Sequence, residues 1–184
     1  MALRVVAVSG SLRSPSTSNA LIDGILNELS RHVEVEPQVI ELHSIAVDLA
    51  VALTQGQTSA AVLAALHALS EADLAVVATP IYRGSYTGLF KEFFDLVHQD
   101  ALVGTPVLLA AGGGNDQHSL AIDHELRPLF AFFRAHTLPV GVYARGADFS
   151  SGEITGEALP AAIERAVTAA LPALEAARES AIRG

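Results

Sequence analysis

The chain has 184 residues, of which 51% are hydrophobic and 17% charged, and its mean hydropathy is +0.40; this is enough for one domain with its own core and excludes a disordered chain. With 11 basic against 20 acidic residues the net charge is -9, the wrong sign for gripping a phosphate backbone, so nucleic acid is not an expected partner. Cysteine is absent, which removes disulfides, thiol catalysis, iron–sulfur clusters and cysteine-ligated zinc.

Residues 3–8 form a continuous apolar run, the pattern of a strand buried on both faces. A polar loop follows over 9–18. Leu21, Ile22, Ile25, Leu26 and Leu29 recur at helical spacing and predict a helix over 19–31. Residues 33–42 alternate like a strand nearer a sheet edge, and 44–57 carry no decisive pattern. An Ala/Leu-rich helix is expected over 59–69, a second buried strand over 74–79, a loop over 80–86 and a helix over 88–98. A third buried strand, 106–111, runs into Gly112, Gly113 and Gly114. One long helix is expected over 117–135, a last strand over 138–143, a loop over 144–156 and a closing helix over 157–178.

Strands alternating with helices, with apolar strands, predict an α/β fold whose parallel sheet is covered on both faces. The expected architecture is a flavodoxin-like three-layer sandwich with a five-stranded parallel sheet of order 2-1-3-4-5, formed as a single domain over residues 1–184. No apolar run approaches the roughly 18 residues of a membrane span, and the N-terminus is short for an export signal, so a cytoplasmic protein without membrane contact is expected. In such sheets ligands bind beyond the carboxyl ends of the strands. That rule selects the loops 9–18, 80–86 and 112–117.

The first loop reads Ser9-Gly10-Ser11-Leu12-Arg13-Ser14-Pro15-Ser16-Thr17-Ser18-Asn19 and opens a helix. Helix-start N–H groups favour an anion, hydroxyls of Ser11, Ser16 and Ser18 can donate to phosphate, and Arg13 can add a charge-assisted bond. The same Ser and Asn residues are also good helix caps. The second loop, Thr79-Pro80-Ile81-Tyr82-Arg83-Gly84-Ser85-Tyr86, offers backbone N–H groups and flat apolar surface to a planar heterocycle; it also reads as an ordinary strand-to-helix turn. The three glycines 112–114 let the chain pass close to a ligand, or form a loose turn.

Other signatures fail. There is no G-x-x-x-x-G-K-S/T and no G-x-G-x-x-G in the first turn. Gly84–Gly88 lacks the central Ser of a nucleophile elbow. His124-Glu125 begins like H-E-x-x-H, but Pro128 holds the second His position, so no metal site is expected. Pro128 has no N–H, so the carbonyl of His124 loses its helical partner, and a kink or single-turn π-bulge is the expected result. His124 is thus either an ordinary core or interface histidine or the marker of that bulge.

Taken together, Ser9 to Asn19, Thr79 to Tyr86 with Leu89-Phe90-Lys91, Gly112 to His118, and Ala121 to Leu129 resemble the NAD(P)H-dependent FMN reductases of flavodoxin-like fold. The resemblance is closest to those that supply reduced flavin to alkanesulfonate and methanesulfonate monooxygenases. It implies FMN as the flavin, NADH or NADPH as hydride donor and a flavin-dependent monooxygenase as partner. It implies that Ser11, Arg13, Ser16, Ser18 and Asn19 match the FMN phosphate loop. Pro80, Ile81, Tyr82, Arg83, Gly84 and Ser85 match the isoalloxazine loop, and Gly112, Gly113 and Gly114 the third loop, with His118 just after it. His124 stands where these reductases commonly carry Tyr in a π-insertion. No side chain is assigned as a catalytic acid, base or nucleophile, because the cofactor carries the hydride chemistry. An FMN-retaining quinone or azo reductase, and a non-enzymatic flavodoxin-like carrier, are the alternative functions. Six of the seven phenylalanines fall in 88–98 and 117–135, more apolar surface than one sheet face hides, so a homodimer or homotetramer is expected.

Overall fold

The computed structural model describes residues 2–183, with side chains described through residue 177. Strand β1 (Leu3–Ser9) is central, flanked by β2 (Val35–Glu41) and β3 (Leu74–Pro80). β4 (Pro106–Gly113) lies beyond β3, and every pairing in this sheet is parallel. The order is β2-β1-β3-β4-β5, as expected, but the fifth position is split and the sheet has six strands. β5 (His136–Thr137) pairs with the start of β4, and β6 (Val142–Arg145) with its end. The expected single strand over 138–143 fails because Pro139 has no N–H to give the ladder. Just beyond it, Gly141 passes so close to its neighbours that a Cβ there would lie 2.8 Å from Ile122 and 3.1 Å from the Leu109 carbonyl.

Strand alternation divides the core. Leu3, Val5 and Ala7 face α1 (Thr17–Ser30) and α6 (Ala158–Arg183), while Val6 and Val8 face the opposite layer. That layer holds α2 (Ala46–Gln55), α3 (Ala60–Ser70), α4 (Gly88–Leu96) and α5 (Arg127–Phe132). Residues 44–57 resolve into the end of a 3-10 turn, Leu42–Ile45, followed by α2, which stops at Gly56 in the left-handed conformation. The loop expected over 144–156 contains a 3-10 turn, Gly146–Asp148, and a short antiparallel hairpin, β7 (Phe149–Ser150) with β8 (Glu153–Ile154). Among the described residues no single helix is long and apolar enough to cross a membrane.

The long helix expected over 117–135 is three pieces: a 3-10 turn Asp116–His118, a π-turn Ile122–Leu126 and α5. Arg127 N–H donates to the Ile122 carbonyl, five residues back, and His124 lies inside this widened turn. Pro128, one residue later, has no N–H to give a regular helical ladder, which is the physical reason the sequence offered for a bulge here.

The apolar argument for assembly needs correction. Phe90, Phe93, Phe94, Phe130 and Phe133 are all buried within one subunit, in edge-on and tilted ring contacts such as Phe94–Phe130 at 5.0 Å. Only Phe132 of the six is turned out, 67% exposed. Phe94→Ala is therefore expected to cost about 3–5 kcal/mol of unfolding free energy, and Phe132→Ala less than about 0.5 kcal/mol, as read by urea denaturation.

Candidate functional site

The carboxyl ends of β1, β3, β4 and β6 open onto one edge of the molecule, and the loops leaving them meet there. Their spacing is set by buried hydroxyls. Thr87 Oγ1 donates to the Gly10 carbonyl at 2.7 Å and accepts from Phe90 N–H at 3.2 Å; Thr87 N–H donates to Thr79 Oγ1 at 3.3 Å. Gly10 N–H donates to the Ala78 carbonyl at 2.8 Å. The end of β1, the end of β3 and the start of α4 thus form one unit.

In the first loop the polar residues divide. Ser16 caps α1, accepting from Asn19 N–H at 3.2 Å, and Asn19 Oδ1 accepts from Ser9 Oγ at 2.6 Å and from Ser16 Oγ at 3.0 Å. Ser11 is buried and donates to the Arg13 carbonyl at 2.9 Å. Ser18 is only 2% exposed, yet its Oγ has no hydrogen-bond partner. Arg13 is exposed and has no carboxylate partner among the described residues.

The second loop is a tight hairpin. Tyr82 N–H donates to the Ser85 carbonyl at 2.9 Å and Ser85 N–H returns to the Tyr82 carbonyl at 3.3 Å. Arg83 (φ 55) and Gly84 (φ 90) are its two central residues, both left-handed, the pattern of a type I′ turn. A Cβ at Gly84 would meet nothing within 4 Å. Glycine is favoured here by its φ. Pro80 and Ile81 precede the turn, and Ile81 N–H donates to the Gly112 carbonyl at 2.7 Å.

Gly112 opens toward the first loop: a Cβ would sit 3.6 Å from Thr17 Oγ1. Gly113 answers to protein neighbours, since a Cβ would lie 2.3 Å from Tyr143 Oη and 2.8 Å from His118 Cβ. Gly114 is open and exposed. His118 is half-buried against Gly113, and its Nδ1 has no partner. His124 is exposed on the π-turn and is not among the residues that line the cleft.

A cleft of about 200 Å³ runs between these loops, lined by Thr17, Pro80, Ile81, Tyr82, Gly112, Gly113, Gly114, Ala144, Arg145, Gly146 and Phe149. The sequence reading found Pro80, Ile81, Tyr82 and the three glycines. It missed Thr17, Ala144, Arg145, Gly146 and Phe149. The strand-end rule, applied to the last strand, selects Arg145. Arg145 is held by Asp148, whose Oδ2 accepts Arg145 N–H at 2.7 Å and whose Oδ1 is 3.4 Å from the guanidinium; Asp116 stands at 3.9 Å. These contacts raise the guanidinium above its ordinary value, the Asp148 hydrogen bond first. Tyr143 Oη donates to the Asn115 carbonyl at 2.5 Å, and burial, reinforced by Asp116, raises its phenol above the usual range. A larger hollow of about 560 Å³ lies by Arg4, Gln38, His67 and Glu71 at the other end of the strands, but there Arg4 is already neutralised by Glu71 and Asp73, each at 3.2 Å.

Residues 3–149 match the family model described as NADPH-dependent FMN reductase. The chain is 51% identical over 170 residues to NADH-dependent FMN reductase SfnF of Pseudomonas fluorescens, covering 92% of this chain and 91% of that protein. It is 48% identical over 169 residues to an FMN reductase (NADPH) of Pseudomonas aeruginosa, again covering 92% and 91%. Its fold is similar to a solved oxidoreductase from Corynebacterium diphtheriae, with TM-score 0.84, 36% identity and coverage of 95% and 98%. Gly84→Val is expected to cost about 1–3 kcal/mol and Gly84→Asn less than about 1 kcal/mol in denaturant titrations, because asparagine enters the left-handed region and a β-branched residue does not.

Proposed function

The chain belongs to the NADPH-dependent FMN reductase family, and from that premise we propose that it transfers hydride from NADH or NADPH to FMN and passes the reduced flavin to a flavin-dependent monooxygenase of the sulfonate-oxidising kind. The observation that carries the flavin site is the cleft at the strand carboxyl ends, where Thr17, at the start of α1, meets Pro80, Ile81 and Tyr82 and the three glycines Gly112, Gly113 and Gly114.

When bound, FMN supplies the ring nitrogen that accepts hydride, so the protein contributes binding, orientation and charge. Arg13 is free to pair with the flavin phosphate, beside the N–H groups of the first turn of α1. Ser11, Ser16 and Asn19 fix that loop from within, and Ser18 retains an unused hydroxyl. Pro80, Ile81 and the bare edge of Gly112 offer a flat wall to the ring. Arg83, exposed at the tip of its turn and without a carboxylate partner among the described residues, is available to negative charge developing on the ring or to the phosphates of the nicotinamide nucleotide.

The same reading takes the protein as a single domain that acts in the cytoplasm, where its nicotinamide donor is found, as a homodimer or homotetramer. Leu120 (60% exposed) and Phe132 (67%) support the assembly, since both are apolar and both flank the exposed His124 of the π-turn. We place His124 at that subunit contact.

A flavin supplier loses FMN on dialysis and oxidises NAD(P)H in proportion to added FMN. A quinone or azo reductase purifies with flavin bound and follows ping-pong kinetics, and a carrier binds FMN with little NAD(P)H oxidation; either result overturns the proposal. Arg13→Ala is expected to weaken FMN binding by about 1.5 kcal/mol, roughly tenfold, with little change for riboflavin, which lacks the phosphate. Titration of flavin fluorescence measures both; equal losses would remove Arg13 from the phosphate site.

A further inference from the structure

The turn that carries Arg83 stands off the protein. Its apex residues, Arg83 and Gly84, are exposed, and Tyr82 is 49% exposed. The entering limb is anchored through backbone, by Ile81 N–H on the Gly112 carbonyl. On the return limb, among the described residues, one side-chain hydrogen bond reaches residues 82–85: Ser85 Oγ donates to Glu125 Oε2 at 2.8 Å.

Glu125 lies 40 positions further along the chain, in the π-turn Ile122–Leu126. Its neighbours face elsewhere. Asp123 is exposed and held by Arg127 at 2.9 Å, and His124 is exposed. Glu125 is half-buried and has no ion-pair partner among the described residues, so Ser85 is the group its carboxylate engages. The same charge is felt at Tyr86, the next residue of the loop, where it adds to burial in holding the phenol above its ordinary value.

We propose that Glu125 is a positioning residue for flavin reduction: from the π-turn, its carboxylate holds Ser85 and so fixes the 82–85 turn at the flavin cleft. The proposal rests on the functional reading above. Without this tie the turn keeps only its own two backbone bonds at 2.9 and 3.3 Å, with two left-handed residues at its centre and no packing at its apex. Such a segment opens locally at little cost. A ligand that needs the closed turn then binds with an affinity reduced by the fraction of time the turn is closed.

The test uses the full chain with Glu125→Ala, Ser85→Ala, the double variant and Glu125→Gln. Trypsin cleavage after Arg83 in the flavin-free protein, followed by mass spectrometry, reads the turn itself. FMN affinity by fluorescence quenching, and KM against kcat, read its consequence. Glu125→Ala and Ser85→Ala are each expected to speed cleavage after Arg83, and to raise Kd and KM for FMN, by roughly three- to tenfold, with cleavage after Arg31 and melting temperature little changed; Glu125→Ala is expected to leave kcat little changed. The double variant is expected to match either single one, and Glu125→Gln, which keeps an acceptor oxygen, to restore most of the loss. Parent-like cleavage and FMN affinity in Glu125→Ala would overturn the proposal, as would effects of the two single changes that multiply in the double variant. If the parent does not bind FMN the functional reading fails, while cleavage after Arg83 still decides whether Glu125 holds the turn.

Discussion

The hydroxyl of Thr87 is the small group on which the site's geometry turns. It donates to the Gly10 carbonyl at 2.7 Å and accepts from Phe90 N–H at 3.2 Å, so one oxygen ends a strand and starts a helix. Thr79 and Thr87 are both fully buried, where a hydrogen bond that is lost leaves an uncompensated polar group. Gly10 completes the arrangement by having no side chain: a Cβ there would lie 2.7 Å from Phe90 Cδ2 and 2.9 Å from Thr79 Oγ1. The phenylalanine cluster beneath therefore sets the height of both binding loops.

Internal hydrogen bonding explains why the first loop is so rich in polar residues. Ser9, Ser16 and Asn19 form a closed internal set, and Ser11 folds back on Arg13. The capping reading of the sequence holds for Ser16, with Asn19 tied to it. The assignment could not be made from composition, because Asn19 Oδ1 is shared with Ser9, a strand residue that only the fold brings near. What remains outside the internal set is Ser18 Oγ, buried without a hydrogen-bond partner, and the exposed Arg13 guanidinium, without a carboxylate partner among the described residues.

The strands were legible because each buried one is a continuous apolar run, and the parallel order follows from alternation with helices. Pro128 made the π-turn legible, since a missing N–H is a local fact. The split fifth strand was harder: Gly141 is needed because Ile122 of the π-turn presses on it, and that contact is long-range. The phenylalanines misled in the opposite sense. Their helical spacing shows that they share faces but not that five rings stack on one another inside one layer. Arg145 and Glu125 escaped because a single charged residue has no pattern; only the cleft and the hydrogen bond to Ser85 single them out.

A chain of net charge -9 has to hold two anionic partners, and the distribution of its cations shows how. Arg4, Arg31, Lys91, Arg127 and Arg134 are each spent on carboxylates away from the cleft. Among the described residues Arg13 and Arg83, on the two loops that flank the cleft, have no carboxylate partner, and neither has Arg165 on α6. The cleft itself is small, about 200 Å³, and Arg145 in its lining is already held by Asp148, with Asp116 at 3.9 Å, so positive charge for an incoming phosphate has to come from Arg13 and Arg83 on the adjoining loops.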